Sequence, residues 1–166
     1  CRYNTVCQGD TRKLDIYKNS SAQFVEILFN ISGNKVGLAE YSDNYGSVYV
    51  GDCSSSTPTT TPFTDSIVRI NNITSDKQQI VQKINTTEDW WGTCTCCGMN
   101  KGVEIIESQN NPLRKRFIVL MSDGVANVQC TQQPNTTAVD DAVQSAWDAC
   151  NKNISVYAIA FGADAD

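Results

Sequence analysis

A chain of 166 residues is one domain's worth of polypeptide, long enough to bury a full core. The net charge of −5, with Lys and Arg scattered apart from the RKR run at 114–116, argues against a nucleic-acid partner. No apolar run reaches membrane-spanning length. The lack of histidine excludes Ser-His-Asp and Cys-His nucleophiles and His-ligated zinc within this sequence.

In chain order, residues 1–11 read as a polar loop. Leu14, Tyr17, Ala22, Val25, Leu28 and Phe29 then fall near helical spacing and predict a helix over 12–29. SGNK breaks it, and KVGLAEYSD (35–43) reads as a strand, with SVYV as a short extension. Residues 44–65, including SSSTPTTTPFT, form a Ser/Thr/Pro-rich loop. SIVRI (66–70) predicts a second strand. A short helix follows, capped by Thr74 or Ser75. TTEDWWGTCTCCG reads as a loop. MNKGVEIIES reads as a helix with Val103, Ile105 and Ile106 on or near its buried side. RFIVLMS (116–122) is the most apolar strand. In the next helix Val139, Val143, Ala146 and Trp147 make an apolar stripe. ISVYAIAFG (154–162) is too apolar to have one wet face. Strands of this kind alternating with amphipathic helices imply an α/β fold, a mostly parallel sheet covered by helices on both faces.

Eight cysteines (Cys1, Cys7, Cys53, Cys94, Cys96, Cys97, Cys130 and Cys150) are many for this length. Six Asn-X-Ser/Thr sequons accompany them, at Asn19, Asn30, Asn72, Asn85, Asn135 and Asn153. Together with the Ser/Thr/Pro segment they point to an oxidising, extracellular or cell-surface location and to N-linked glycans. CTCC (94–97) lacks the second cysteine pair that zinc or iron–sulfur spacing needs, so disulfides are the expected chemistry. Adjacent Cys96 and Cys97 are expected to reach different partners, and Cys130 is paired with Cys150 in this reading. Trp90 and Trp91 either stack on a sugar or partner, or cover the disulfides of their own loop.

Open α/β sheets bind ligands beyond the carboxyl ends of their strands. Thr93 and Asp123 fall at that edge. So does Asp43, which reads with Asp164 and Asp166 as a solvated loop acid. Asp123 suits a helix N-cap or an Asp-Gly turn as well as a ligand position, and Thr93 suits a capping or loop hydroxyl.

Gly92-Thr93, Ser122-Asp123-Gly124, the strand VYAIAFG and the order of elements around them resemble a von Willebrand factor type A (VWA) domain over residues 12–162. The stretches GTCTCCG and MSDGVANVQC are most similar to cysteine-rich VWA domains of archaeal surface proteins. The resemblance implies a single VWA-like domain over 1–166, an excerpt of a larger protein. It also implies a metal-ion-dependent adhesion site in which Thr93 and Asp123 contribute oxygens to Mg²⁺ or Ca²⁺. The strand that carries DxSxS in this family would precede Cys1. Its oxygens, and a central strand of the sheet, would have to come from an upstream segment or a neighbouring chain.

The function this implies is adhesion to a protein or glycan ligand, with no bond made or broken. The alternative is a structural subunit of a cell-surface filament or layer, self-associating and with a vestigial metal site. The chain offers no phosphate loop or close carboxylate pair for an enzyme.

Overall fold

The computed structural model describes residues 13–41, 69–87, 93–109, 111, 113–131 and 135–161. It is mixed α/β, with four helices and four strands among these residues: α1 Lys13–Phe29, β1 Val36–Glu40, β2 Arg69–Thr74, α2 Lys77–Asn85, α3 Thr95–Glu107, β3 Arg116–Ser122, α4 Ala138–Asn151 and β4 Ile154–Ala160. Two compact units are present, one holding α1 and α2, the other the remaining elements.

In the first unit α1 packs on α2. Val25 and Ser21 are buried on α1, and Ile80 and Ile84 on α2. Each large apolar side chain removed from water contributes about 1.5–3 kcal/mol. Lys77 and Glu26 pair at 2.7 Å across the two helices. α1 ends in a turn where Gly33 takes φ +86°, a conformation that favours glycine. The cap of α2 is Asp76, whose carboxylate accepts from the Gln79 amide at 3.2 Å. Thr74 and Ser75 are therefore not the cap. Thr74 closes β2, and its hydroxyl accepts from the Asp76 amide. Asp competes well for this position because its carboxylate also suits the positive end of the helix.

In the second unit β3 and β4 pair in parallel, with Arg116 opposite Ile154 and Ser122 opposite Ala160. The connection between them carries α4, as parallel pairing requires. α3 and α4 pack together on one face. Met99, Val103, Ile118, Ala149 and Ile154 form the core there, with Ile106, Leu120, Ala146 and Val156 beside them. β1 and β2 form a separate two-stranded sheet. The expected sheet covered on both faces is therefore present only in part. Phe117, Tyr157 and Ile159 lie on the face of β3–β4 away from the core and are exposed, with the Phe117 and Tyr157 rings edge to face at 6.4 Å.

Two further expectations are corrected. CTCCG does not belong to a loop: Cys94 caps α3 and the next residues build its first turn. The apolar stripe of α4 is also not its buried side. Val139, Val143 and Trp147 are 45%, 53% and 62% exposed, while Ala138, Asp141, Ser145 and Ala149 face inward. Small side chains let α4 approach closely, and Asp141 has hydrogen-bond partners that fix the helix rotation.

Close approach also governs α3. A Cβ on Gly98 would sit 2.5 Å from the Tyr41 ring, and one on Gly102 would sit 3.2 Å from Ile118. Tyr41 in turn donates its hydroxyl to the Met121 carbonyl at 2.7 Å. Gly98→Ala gains about 1 kcal/mol of helix propensity. It loses more, because the ring must move and its hydrogen bond break, so a net destabilisation of about 1–3 kcal/mol is expected. In a Tyr41→Ala background the same change becomes neutral or stabilising, a coupling that a double-mutant cycle of chemical denaturation measures.

α4 begins with a capping box. Thr137 accepts from the Asp140 amide at 3.1 Å, and Asp140 accepts from the Thr137 amide at 2.8 Å. The Thr137 hydroxyl, then its amide, hold the Asp140 carboxyl below its usual value of 3.8. A depressed carboxyl stabilises the fold above the unfolded value and loses that contribution as pH falls through the folded value. Thr137→Ala therefore lowers the melting temperature near neutrality, and the gap from the parent protein narrows on acidification below the usual carboxyl range, leaving the part due to the bond from the Asp140 amide.

Candidate functional site

The carboxyl end of β3 is where the structure gathers the most chemistry. Ser122 ends the strand. Its hydroxyl accepts from the Gly124 amide at 3.3 Å and donates to the Gly124 carbonyl at 2.8 Å, bracing a bend around Asp123. Asp123 is exposed at the tip of that bend. The helix that follows is α4, capped by Thr137, so Asp123 caps no helix.

The Thr93 loop lies beside this bend. The Thr93 amide donates to the Asn127 side-chain oxygen at 2.7 Å. The Asn127 and Val128 amides donate back to the Thr93 carbonyl at 3.1 and 3.4 Å. A Cβ on Gly124 would come within 3.6 Å of the Thr93 hydroxyl. The two loops carrying Thr93 and Asp123 are thus joined by main-chain and side-chain hydrogen bonds.

Beneath them lies a sulfur cluster. Cys94 is bonded to Cys97 and Cys96 to Cys130, with Cα separations of 5.2 and 6.1 Å, ordinary for disulfides. Cys94, Cys96 and Cys97 are fully buried, Cys130 is partly buried, and Val128 packs against them. The adjacent Cys96 and Cys97 reach different partners. The pairing of Cys130 with Cys150 is corrected: Cys130 sits over the N-terminus of α3, whereas Cys150 lies near the far end of α4, exposed and with a free thiol. Cys1, Cys7 and Cys53 lie outside the described residues, as do Asp43, Trp90, Trp91, Asp164 and Asp166.

Asp141 holds the cluster to α4. Its carboxylate is buried and accepts from the Cys130 and Thr131 amides at 2.7 and 2.8 Å, and from the Thr131 hydroxyl at 2.7 Å. Three donors on one carboxylate fix the loop before α4 in position. Sequence reading overlooked both Asp141 and Asn127. For Asp141 a signal existed. Of two adjacent acids at a helix start, only Asp140 closes the capping box, which leaves its neighbour available to the preceding loop.

Thr93 and Asp123 offer hard oxygen donors, but Mg²⁺ and Ca²⁺ take six to eight oxygens. Two side chains do not complete such a cage. The run Asp52-Cys53-Ser54-Ser55-Ser56 has DxSxS spacing, but it follows β1 in the chain instead of preceding α1 and lies outside the described residues. Among the described residues, the sulfur cluster is the one group of three or more Cys, Asp or Glu ligand atoms close enough to share an ion. Five sequon asparagines, Asn19, Asn30, Asn85, Asn135 and Asn153, are exposed, and Asn72 lies in β2.

No helix among the described residues is long and apolar enough to cross a membrane. Comparison with protein-family models, with curated proteins and with solved structures gave no match.

Proposed function

We propose that this chain is an extracellular, glycosylated binding module of the VWA type, recognising a protein or glycan at the carboxyl end of β3. The observation that carries the reading is the junction of Thr93 with Asn127, which ties the Thr93 loop to the bend containing Asp123. An exposed carboxylate and a neighbouring hydroxyl on loops clamped by disulfides form a rigid polar platform. Rigid platforms bind without the entropy cost of ordering loops. Mg²⁺ or Ca²⁺ enters this reading as a bridge to a carboxylate of the partner, with further oxygens drawn from outside the described residues.

The reading is tested by titrating Mg²⁺ and then Ca²⁺ into the protein while following backbone amide resonances. Shifts concentrated at Thr93, Asp123 and Gly124 are expected, with affinity at least about tenfold weaker in Asp123→Asn. The variant without cation should stay folded, because Asp123 is exposed and the substitution conserves its volume. Shifts unchanged by the substitution would remove Asp123 from the site.

A second reading, a structural subunit of a cell-surface filament or layer, is favoured by a separate observation. Val139, Val143 and Trp147 expose an apolar stripe, and no strand among the described residues joins β1–β2 to β3–β4. In this reading a strand from an upstream segment or a neighbouring chain joins the two pairs. Concentration-dependent association in sedimentation equilibrium, lost in Trp147→Asp, would favour assembly over a free binding module.

A further inference from the structure

We propose that Cys94, Cys96, Cys97 and Cys130 form a convertible sulfur site. Oxidised, it is the two disulfides described above. Reduced, it is a four-thiolate cage for one soft tetrahedral cation of the Zn²⁺ class. The inference does not depend on the partner-binding reading, which concerns oxygen ligands on the exposed loops.

The geometry carries it. All four sulfurs lie within 4.8 Å of one another. In a tetrathiolate zinc site the metal–sulfur distance is about 2.3 Å, which separates neighbouring sulfurs by about 3.8 Å. Three non-bonded sulfur pairs already stand at that separation: Cys94 to Cys96 and Cys94 to Cys130 at 3.8 Å, and Cys97 to Cys130 at 3.6 Å. These three contacts connect all four residues; of the remaining pairs the two disulfides must open, and Cys96 to Cys97 lies within 4.8 Å. The sequence alone hid this arrangement because Cys130 is 33 residues from Cys97 and no second cysteine pair marks it.

The surroundings suit an anionic cage. Cys94 caps α3 without a side-chain capping hydrogen bond of its own, and Cys96 and Cys97 lie in the first turn. The positive end of a helix favours thiolates. Full burial of three of the sulfurs makes bare thiolates costly and a bound cation the means of compensating them. Hard cations, which prefer oxygen, are disfavoured here. Asp141 holds the Cys130 amide and so keeps the fourth ligand in place whichever state the sulfurs occupy.

The chemistry balances with a small dithiol as reductant. Each disulfide takes two electrons and two protons from one dithiol, which leaves as its cyclic disulfide, so two dithiols yield four thiols. Cation binding then releases the four thiol protons. Attack begins at Cys96–Cys130, because Cys130 is the sulfur of the four that is not fully buried.

The test uses the intact chain, reduced with a dithiol, freed of it without oxygen, and titrated with Co²⁺ and then Zn²⁺. One Co²⁺ per chain is expected, with the intense visible bands of a tetrahedral tetrathiolate, bleached by Zn²⁺. A thiol-alkylating reagent should then modify Cys150 at the same rate with and without Zn²⁺, while Zn²⁺ slows modification of Cys94, Cys96, Cys97 and Cys130 at least about tenfold. Equal alkylation of these four with and without metal overturns the proposal, whether or not the reduced chain stays folded. So does a six-coordinate cobalt spectrum. Protection of Cys1, Cys7 or Cys53 in place of Cys130 also overturns it.

Discussion

Replacing Asp141 with alanine is expected to lower the unfolding free energy by about 3 kcal/mol. The carboxylate is buried and accepts from two amides and a hydroxyl, all from Cys130 and Thr131 in the loop before α4. Hydrogen bonds to a charged acceptor contribute about 1.5–3 kcal/mol each. Part of that returns as water reaches the exposed Thr131, so the net loss is smaller than the three bonds together. Asparagine is expected to restore part of the loss. It matches the volume, its Oδ1 can accept from the two amides that share one carboxylate oxygen, and its NH₂ can donate to the Thr131 hydroxyl, so what is lost is the charge. Urea unfolding of the parent and both variants measures this, and a loss below about 0.5 kcal/mol, the usual range for surface substitutions, would contradict it.

The second large effect separates the two disulfides. Cys96–Cys130 spans 34 residues and Cys94–Cys97 spans 3. Loop-closure entropy assigns about 3–4 kcal/mol to the first and about 2 kcal/mol to the second. The paired substitution Cys96→Ala with Cys130→Ala should therefore cost roughly twice as much as Cys94→Ala with Cys97→Ala. Pairwise removal avoids leaving a stray thiol. If Cys94 were instead bonded to Cys130 and Cys96 to Cys97, both double substitutions would remove both bonds and their costs would be alike. The comparison of unfolding midpoints thus reports connectivity as well as stability.

The strands and helices read most directly from sequence are those whose stability is local or whose pattern is unambiguous. RFIVLMS is a continuous apolar run and forms β3 at its expected bounds. α4 has strong periodicity and a capping box, whereas α1 was legible from its length and from apolar residues near helical spacing. The start of α3 was hidden because Thr, Cys and Gly are weak helix formers, and two disulfides override that preference. The face of α4 was misjudged for a related reason. Periodicity locates an apolar stripe but not what lies opposite it. Here Asp141, by accepting from the Cys130 loop, turns the Val139–Trp147 stripe outward.

The candidate site divides in the same way. Thr93 was visible as a residue of the loop before a helix and Asp123 as the residue after the most apolar strand, and their loops are neighbours in the fold. The residues that join those loops were not visible, because Asn127, Val128 and Cys130 lie 34, 35 and 36 residues beyond Thr93 or Cys94. Contacts at that separation leave no periodic trace. The cysteine count announced disulfides, but connectivity is a tertiary fact.

The central claim is that the Thr93 loop and the loop after β3 are locked together by one sulfur cluster. It is tested most directly by proteolytic digestion of the non-reduced, oxidised protein, with the linked peptides sequenced by mass spectrometry. Lys101, Arg114, Lys115 and Arg116 give trypsin sites between the two halves of the cluster. The predicted result is a Cys94–Cys97 bond and a Cys96–Cys130 bond, with Cys150 recovered as a free, alkylated thiol. A bond between Cys130 and Cys150, or alkylation of Cys130 in the oxidised protein, would contradict it.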